Sequence, residues 1–120
     1  MKVYKTRKDE IKELDKLFSE YLRKKISCCE RCGGATSRKL QVHHFIRRRN
    51  YSVRYDDENC VVLCGGCHMY FHSHPIEEIE WTQNRLGDRY DLLRARSIQT
   101  RTIDRELIKL DLRERLKEYE

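Results

Sequence analysis

The sequence predicts a small α+β protein, in which a two-stranded sheet stapled by a four-cysteine metal site lies between helical extensions. Apolar residues recur at helical spacing near both ends of the chain. Two short apolar runs without that spacing lie between residues 40 and 63, and two C-x-x-C pairs bracket those runs. We expect one compact unit with an N-terminal helical extension over 1–27, a core with the metal site over 28–74, and a C-terminal helical extension over 75–120.

The N-terminal extension is expected to form a helix over residues 8–26. Thr6, followed three residues later by Asp9, resembles a capping box with Asp in place of Glu. Lys, Glu and Asp fill one face of the helix. The opposite face carries the apolar side chains Ile11, Leu14, Phe18, Tyr21 and Leu22.

A small hairpin is expected in the middle of the chain. Its strands are predicted by the apolar residues at 40, 42 and 45 and by the run at 61–63. The stretch RRRNYSVRYDDEN between them is polar and too long for a tight turn. We therefore expect a functional loop there.

Further helices should follow the hairpin. A short helix over 67–73 should be stopped by Pro75, and residues 76–97 should hold one or two helices broken near Gly87. Residues 103–119 are expected to form a charged helix, with one face carrying Ile103, Leu107 and Leu110.

The positive charge of the chain is unevenly distributed. The formal net charge is +6, yet residues 31–55 alone contain seven basic residues and no acidic one. Such a local cationic stripe is typical of proteins that bind a polyanion. The alternative is a solvated basic face that binds nothing.

The six cysteines are expected to bind metal rather than to form disulfides. The chain has no apolar run of about 18 residues, and its start, MKVYKTRKDEIKE, lacks the apolar region of a secretory signal. We therefore expect the protein to work in a reducing cytoplasm, where thiols stay reduced.

Two C-x-x-C pairs, Cys29–Cys32 and Cys64–Cys67, predict a closed tetrahedral structural zinc site. The alternatives are a redox motif or unrelated buried thiols. Cys28 could compete with Cys29 as a ligand, because spacing excludes neither. Cys60 opens an apolar run, so we expect it to be buried.

Four histidines and an asparagine form the second constellation. His68 and His72 are four residues apart and would project from one face of a helix. His43 and His44 are adjacent, so on a strand they would point to opposite sides. One could then bind a metal while the other stays free to take a proton. The alternative is a set of structural histidines, and we expect the fifth, His74, to be a bystander.

The string VHHFIRR…NYSVRYDDENCVVLCGGCHMYFH resembles the HNH endonuclease motif, also called the ββα-metal or His-Me finger motif, over roughly residues 28–74. The order of two adjacent His, Asn, His and His is similar to that in nuclease colicins. The double C-x-x-C is similar to the zinc-stapled branch found among phage and restriction HNH proteins. The stretch LGDRYDLLR and the C-terminal charged helix resemble phage recombination nucleases of the Rap/NinG kind.

The resemblance implies a ββα-metal core that hydrolyses DNA phosphodiester bonds, leaving a 5′ phosphate and a 3′ hydroxyl. It implies that His43, His68 and His72 hold one divalent cation (Mg²⁺, Mn²⁺, Ni²⁺ or Zn²⁺). His44 would be the general base that deprotonates the attacking water. Asn59 would tie the loop to the strand that carries this base and so orient it.

The expected partner is DNA, in a bacterial or phage-infected cell. Guanidinium groups of the loop would contact the scissile or adjacent phosphate; the candidates are Arg47, Arg48, Arg49 and Arg54. A homodimer through Leu107 and Leu110, or a phage protein partner, is also considered. Two alternatives stay open: a non-catalytic, zinc-stabilised nucleic-acid-binding module, and a nickase that depends on a phage packaging or recombination partner.

Overall fold

A computed structural model describes residues 4–34, 39–99 and 102–120 of the chain. The mixed α+β class is confirmed, with five helices and one two-stranded sheet in these ranges. In chain order the elements are α1 (Arg7–Lys25), β1 (Gln41–His44), a 3₁₀ turn (Asp57–Asn59), β2 (Cys60–Leu63), α2 (Gly65–Ser73), α3 (Pro75–Leu86), α4 (Arg89–Ile98), α5 (Arg105–Leu116) and a final 3₁₀ turn (Lys117–Tyr119). No helix within the described ranges is both long and apolar enough to cross a membrane.

Helix α1 begins at the predicted capping box. The Asp9 amide donates to Thr6 Oγ1 at 3.1 Å, and the Thr6 amide donates to Asp9 Oδ2 at 3.2 Å. These bonds satisfy backbone donors that a helix start otherwise leaves unpaired. The predicted apolar face packs inward and buries Leu14, Phe18 and Leu22.

The predicted hairpin is present and sorts side chains into two layers. β1 pairs antiparallel with the fully buried β2, so that His43 faces Val61 and His44 faces Cys60. Alternate residues of a strand point to opposite sides. Val61 accordingly packs toward α2, while Cys60 and Val62 pack toward α1 and α5. The two adjacent histidines therefore lie on opposite faces of the sheet.

The helices after the hairpin are short because the sequence interrupts them. α2 ends at Ser73, and Pro75 occupies the first turn of α3, where its missing N–H costs nothing. Gly87 ends α3 with a φ of 55°, a conformation that glycine adopts without strain. α4 then starts at Arg89, so the predicted break near Gly87 is confirmed.

The face of the last helix expected to carry Ile103, Leu107 and Leu110 is not the one that packs against the core. Leu107 and Leu110 are 63% and 55% exposed, and Ile103 precedes α5. Leu112 is buried instead, and Ile108 and Leu116 pack against the same core. The spacing of four along 108, 112 and 116 forms the stripe that meets α1.

Candidate metal centres

The four cysteines of the two C-x-x-C pairs come together at the junction of β2 and α2. One sulfur from each of Cys29, Cys32, Cys64 and Cys67 lies within 4.8 Å of the other three. The Cys32 and Cys64 sulfurs are 3.9 Å apart. Four thiol ligands in this arrangement fit the chemistry of a structural zinc site.

Backbone amides prepare this cluster for negative charge. The amides of Cys32 and Gly34 point at the sulfurs of Cys29 and Cys32, at 3.5 and 3.4 Å. The knuckle turns at Gly33, whose φ of 68° favours glycine. Although burial opposes ionisation, backbone amides lower the pKa of the Cys29 thiol to about 6. A thiolate is the form that binds metal.

The pKa of the Cys67 thiol is shifted in the opposite direction to that of Cys29. Burial raises the pKa of its thiol to about 12, with the neighbouring cysteines adding to the shift and the Arg31 guanidinium opposing it. A divalent cation at the centre would stabilise the thiolate forms that bind metal.

The two remaining cysteines lie outside the cluster. Cys28 is exposed, and its neighbour Cys29 supplies the sulfur that joins the group. Cys60 is buried as expected, and burial raises the pKa of its thiol.

Three of the predicted histidines form a second cluster. One ring nitrogen from each of His43, His68 and His72 lies within 4.8 Å of the other two. The Nε2 atoms of His68 and His72 are only 3.1 Å apart, and His68 Nδ1 is buried without a hydrogen-bond partner. Burial and then the neighbouring imidazoles lower the pKa of His68. Imidazole nitrogens at this distance from one another are suited to a shared cation.

His44 lies on the other face of β1 and is held differently. Its Nε2 is 2.9 Å from the Arg54 carbonyl oxygen. A carbonyl can only accept, so Nε2 carries the hydrogen and Nδ1 keeps its lone pair. Burial, followed by the charges of Arg48 and Arg54, lowers the pKa of His44 to about 4. The ring is therefore neutral at physiological pH.

Asn59 is fully buried and ties the loop after β1 to the residues before β2. Its Oδ1 accepts from the Ile46 amide at 2.7 Å, and its Nδ2 donates to the carbonyls of Ile46 and Val53 at 3.0 and 3.1 Å. All polar atoms of this amide group are thus used within the loop.

The arginines of the loop divide into two kinds. Arg54 is only 8% exposed, and its Nε and Nη2 bind the Asp15 carboxylate at 2.9 and 2.5 Å. Its guanidinium is therefore turned inward, toward α1. Arg47, Arg48 and Arg49 are exposed.

An open cleft of about 650 Å³ joins these groups. Arg47 and Arg48 form part of its wall. The cleft is also lined by His43, His44, His68 and His72. The two arginines, the three clustered histidines and His44 therefore all line one solvent-accessible space.

Two other residues near the cluster complete the description. His74 stacks on Tyr70 with ring centroids 4.1 Å apart and stays outside the three-histidine group. Glu78, which sequence reasoning missed, places Oε1 2.8 Å from His43 Nε2. The two residues are 35 positions apart, and no local pattern signals their contact.

Part of the chain matches a known protein family. The model of the HNH endonuclease family matches residues 29–74. All seven residues of the two clusters lie in that segment. Neither curated proteins nor solved structures gave a match to this chain.

Proposed function

We propose that this chain, which carries an HNH endonuclease domain over residues 29–74, is a metal-dependent endonuclease that hydrolyses phosphodiester bonds in DNA. The HNH domain indicates nuclease activity with a metal. One observation supports the proposal of DNA hydrolysis. His44, which is neutral and lies outside the three-histidine group, lines the same cleft as that group.

His43, His68 and His72 would hold the catalytic cation, one of Mg²⁺, Mn²⁺, Ni²⁺ or Zn²⁺. Three nitrogens favour the softer transition metals, whereas Mg²⁺ prefers oxygen. The bound cation would offset charge on the scissile phosphate and on the departing 3′ oxygen. The four-cysteine group would hold a second, structural zinc.

His44 would be the general base, accepting a proton from water at Nδ1. The Arg54 carbonyl supports this role because it keeps the hydrogen on Nε2. The low pKa keeps the ring unprotonated, and an approaching phosphate would raise that pKa by stabilising the charged form. Such a base contributes about 10²–10⁴-fold in rate. The products would carry a 5′ phosphate and a 3′ hydroxyl.

Asn59 would act by positioning rather than by chemistry. It fixes the backbone at Ile46 and Val53, and the adjacent Arg54 supplies the carbonyl that His44 binds. Arg47, Arg48 and Arg49 would contact DNA phosphates directly. Arg54 would support the loop through Asp15 instead.

The first prediction is cleavage of a supercoiled plasmid. The purified protein should nick or linearise it with Mn²⁺ or Mg²⁺ and should leave it intact with EDTA. His44→Ala should be slower by about 10²–10⁴-fold, because the water loses its base. Lys24→Ala, which removes an exposed ion pair on α1, is the control and should cleave normally.

Metal-dependent cleavage that is unchanged in His44→Ala would remove the assignment of the base. DNA binding without any cleavage would favour the second candidate, a non-catalytic zinc-stabilised binding module. The cationic segment over 31–55 supports that candidate, but such a module has no use for the three-histidine cluster. Accumulation of nicked circles alone would favour a nickase.

A further inference from the structure

Helix α3 begins after the segment that matches the HNH family, yet it contributes a carboxylate to the histidine cluster. Glu78 Oε1 lies 2.8 Å from Nε2 of His43. The His43 side chain is 4% exposed and that of Glu78 is 17% exposed. The contact is thus shielded from solvent, where a hydrogen bond to a carboxylate is stronger.

The chemistry of this contact determines which nitrogen of His43 is free. A carboxylate only accepts, so the hydrogen of the neutral imidazole is held on Nε2. The Nδ1 atom then keeps its lone pair. A histidine that binds metal usually donates its other N–H to a carboxylate or carbonyl in this way.

Glu78 itself is not a member of the ligand group. Within the part of the chain that the structure describes, the atoms lying within 4.8 Å of one another come from His43, His68 and His72, and Glu78 is outside that group. Glu78 is therefore placed as a hydrogen-bond partner of the candidate ligand His43 and not as a ligand itself.

Other possible roles of Glu78 do not account for its contact with His43. Among the described residues no Lys or Arg lies within ion-pair distance of its carboxylate, and His43 is its one ion-pair partner there. Acidic side chains in the first turn of a helix interact favourably with the helix dipole, but the exposed Glu77 already supplies such a charge. Neither use requires a buried contact with His43.

We propose that Glu78 is a positioning residue for the metal centre, holding the His43 ring and its tautomer so that Nδ1 is available to the cation. The inference rests on the proposed function, because it takes His43, His68 and His72 as the ligands. It also extends the metal centre beyond residue 74, into α3.

The experiment measures binding of a second metal ion directly. The full-length protein is prepared with one zinc per chain, and Co²⁺ is then titrated by calorimetry and by its visible absorption. Glu78→Ala should weaken Co²⁺ binding by about 10–100-fold, the usual effect of removing such a partner. Glu78→Gln should stay within about 3-fold of the unsubstituted protein, because its amide oxygen accepts the same hydrogen bond.

The matched control is Glu80→Ala, which removes an exposed carboxylate of the same helix that has no ion-pair partner among the described residues. It should bind Co²⁺ normally. Circular dichroism in EDTA shows whether each variant is folded before metal is added. If Glu78→Ala is unfolded, the comparison of Glu78→Gln with Glu78→Asp, whose side chain is one methylene shorter, replaces it with the same expected difference.

Two results would overturn the inference while leaving the proposed function intact. Equal loss in Glu78→Ala and Glu78→Gln would mean that the carboxylate binds the ion itself. Normal binding in Glu78→Ala would mean that the contact does not position His43. Absence of any second metal ion in the unsubstituted protein would overturn the inference and the proposed function together.

Discussion

His44 and Asn59 are oriented by main-chain atoms of the loop between the two strands. His44 is held by the Arg54 carbonyl, and Asn59 binds the backbone of Ile46 and Val53. The position of this loop therefore fixes both side chains. Arg54 in turn holds the loop to α1 by binding Asp15.

This ion pair gives a prediction for stability and its pH dependence. Asp15→Asn should lower the free energy of unfolding by about 2 kcal/mol at pH 7, because it leaves the Arg54 guanidinium buried without its counter-charge. The value is below that of a fully buried pair, since the Asp15 side chain is 24% exposed. Urea unfolding measures the difference, and Glu20→Gln, at an exposed pair with Lys24, should change stability by less than about 0.5 kcal/mol.

The sign of the pH dependence follows from Asp15. Although partial burial opposes them, hydrogen bonds from Arg54 and Tyr55 hold the pKa of this carboxyl below its ordinary value. Its contribution is therefore fully present above the unfolded pKa of about 3.9 and is lost as pH falls through the folded value. The difference between the unsubstituted protein and Asp15→Asn should be constant from about pH 7 to 5 and should narrow below about pH 4. A gap that persists unchanged at low pH would contradict this account.

Single residues also mark the limit of what the sequence could predict. Sequence spacing was enough to predict that the two cysteine pairs come together and that His43 and His44 point to opposite sides, because turn and strand geometry are local. It could not show that Arg54 turns inward or that Glu78 meets His43. Those contacts depend on where α1 and α3 pack, which no local pattern encodes.

Helix α2 connects the two candidate metal centres. Cys67 is in its first turn and is followed directly by His68, with His72 one turn later. The cysteine cluster therefore fixes the start of the helix that carries two of the three clustered histidines. A structural zinc there would hold the histidines in place as well as the fold.

Loss of one zinc ligand gives the prediction for this element. Cys32→Ser should lose bound zinc and lower the Tm by more than about 10 °C, because zinc binding contributes directly to the folding free energy of small domains. Metal content by mass spectrometry and a thermal melt test this. Cys28→Ser, at the neighbouring exposed cysteine outside the cluster, should keep both its zinc and its Tm. Loss of zinc in Cys28→Ser as well would mean that Cys28 is a ligand.

Helix α5 shows where periodicity fails at the scale of an element. Aliphatic residues at 107 and 110 and those at 108, 112 and 116 all satisfy helical spacing. The sequence of α5 alone is compatible with burial of either stripe, and packing against α1 selects one of them. The chosen stripe is flanked by ion pairs that join the two helices, Arg105 with Glu10 and Arg113 with Glu13. These long-range pairs and the packing of residues 108, 112 and 116 against α1 together distinguish the two faces.

Across the whole molecule, acidic groups compensate some basic residues and leave others uncompensated. Arg96 binds Asp56 and Glu58, and Arg54 binds Asp15. By contrast, no carboxylate in the described ranges lies within ion-pair distance of Arg47 or Arg49. The surplus charge of the loop is therefore concentrated at Arg47, beside the histidine cleft, and at Arg49.

This distribution leads to a prediction for DNA binding. The double variant Arg47→Gln/Arg49→Gln should bind a DNA duplex more weakly at every salt concentration. The slope of log K against log salt should become shallower by about 2, since each lost phosphate contact releases about one counterion fewer. Fluorescence anisotropy with metal omitted measures binding without cleavage. The control Arg113→Gln/Lys117→Gln removes the same charge from the end of α5 and the 3₁₀ turn that follows it, where both side chains are ion-paired, and should keep the original slope. If both double variants make the slope shallower by the same amount, the net charge of the protein rather than the loop governs binding. The phosphate backbone would then not bind preferentially at the cleft.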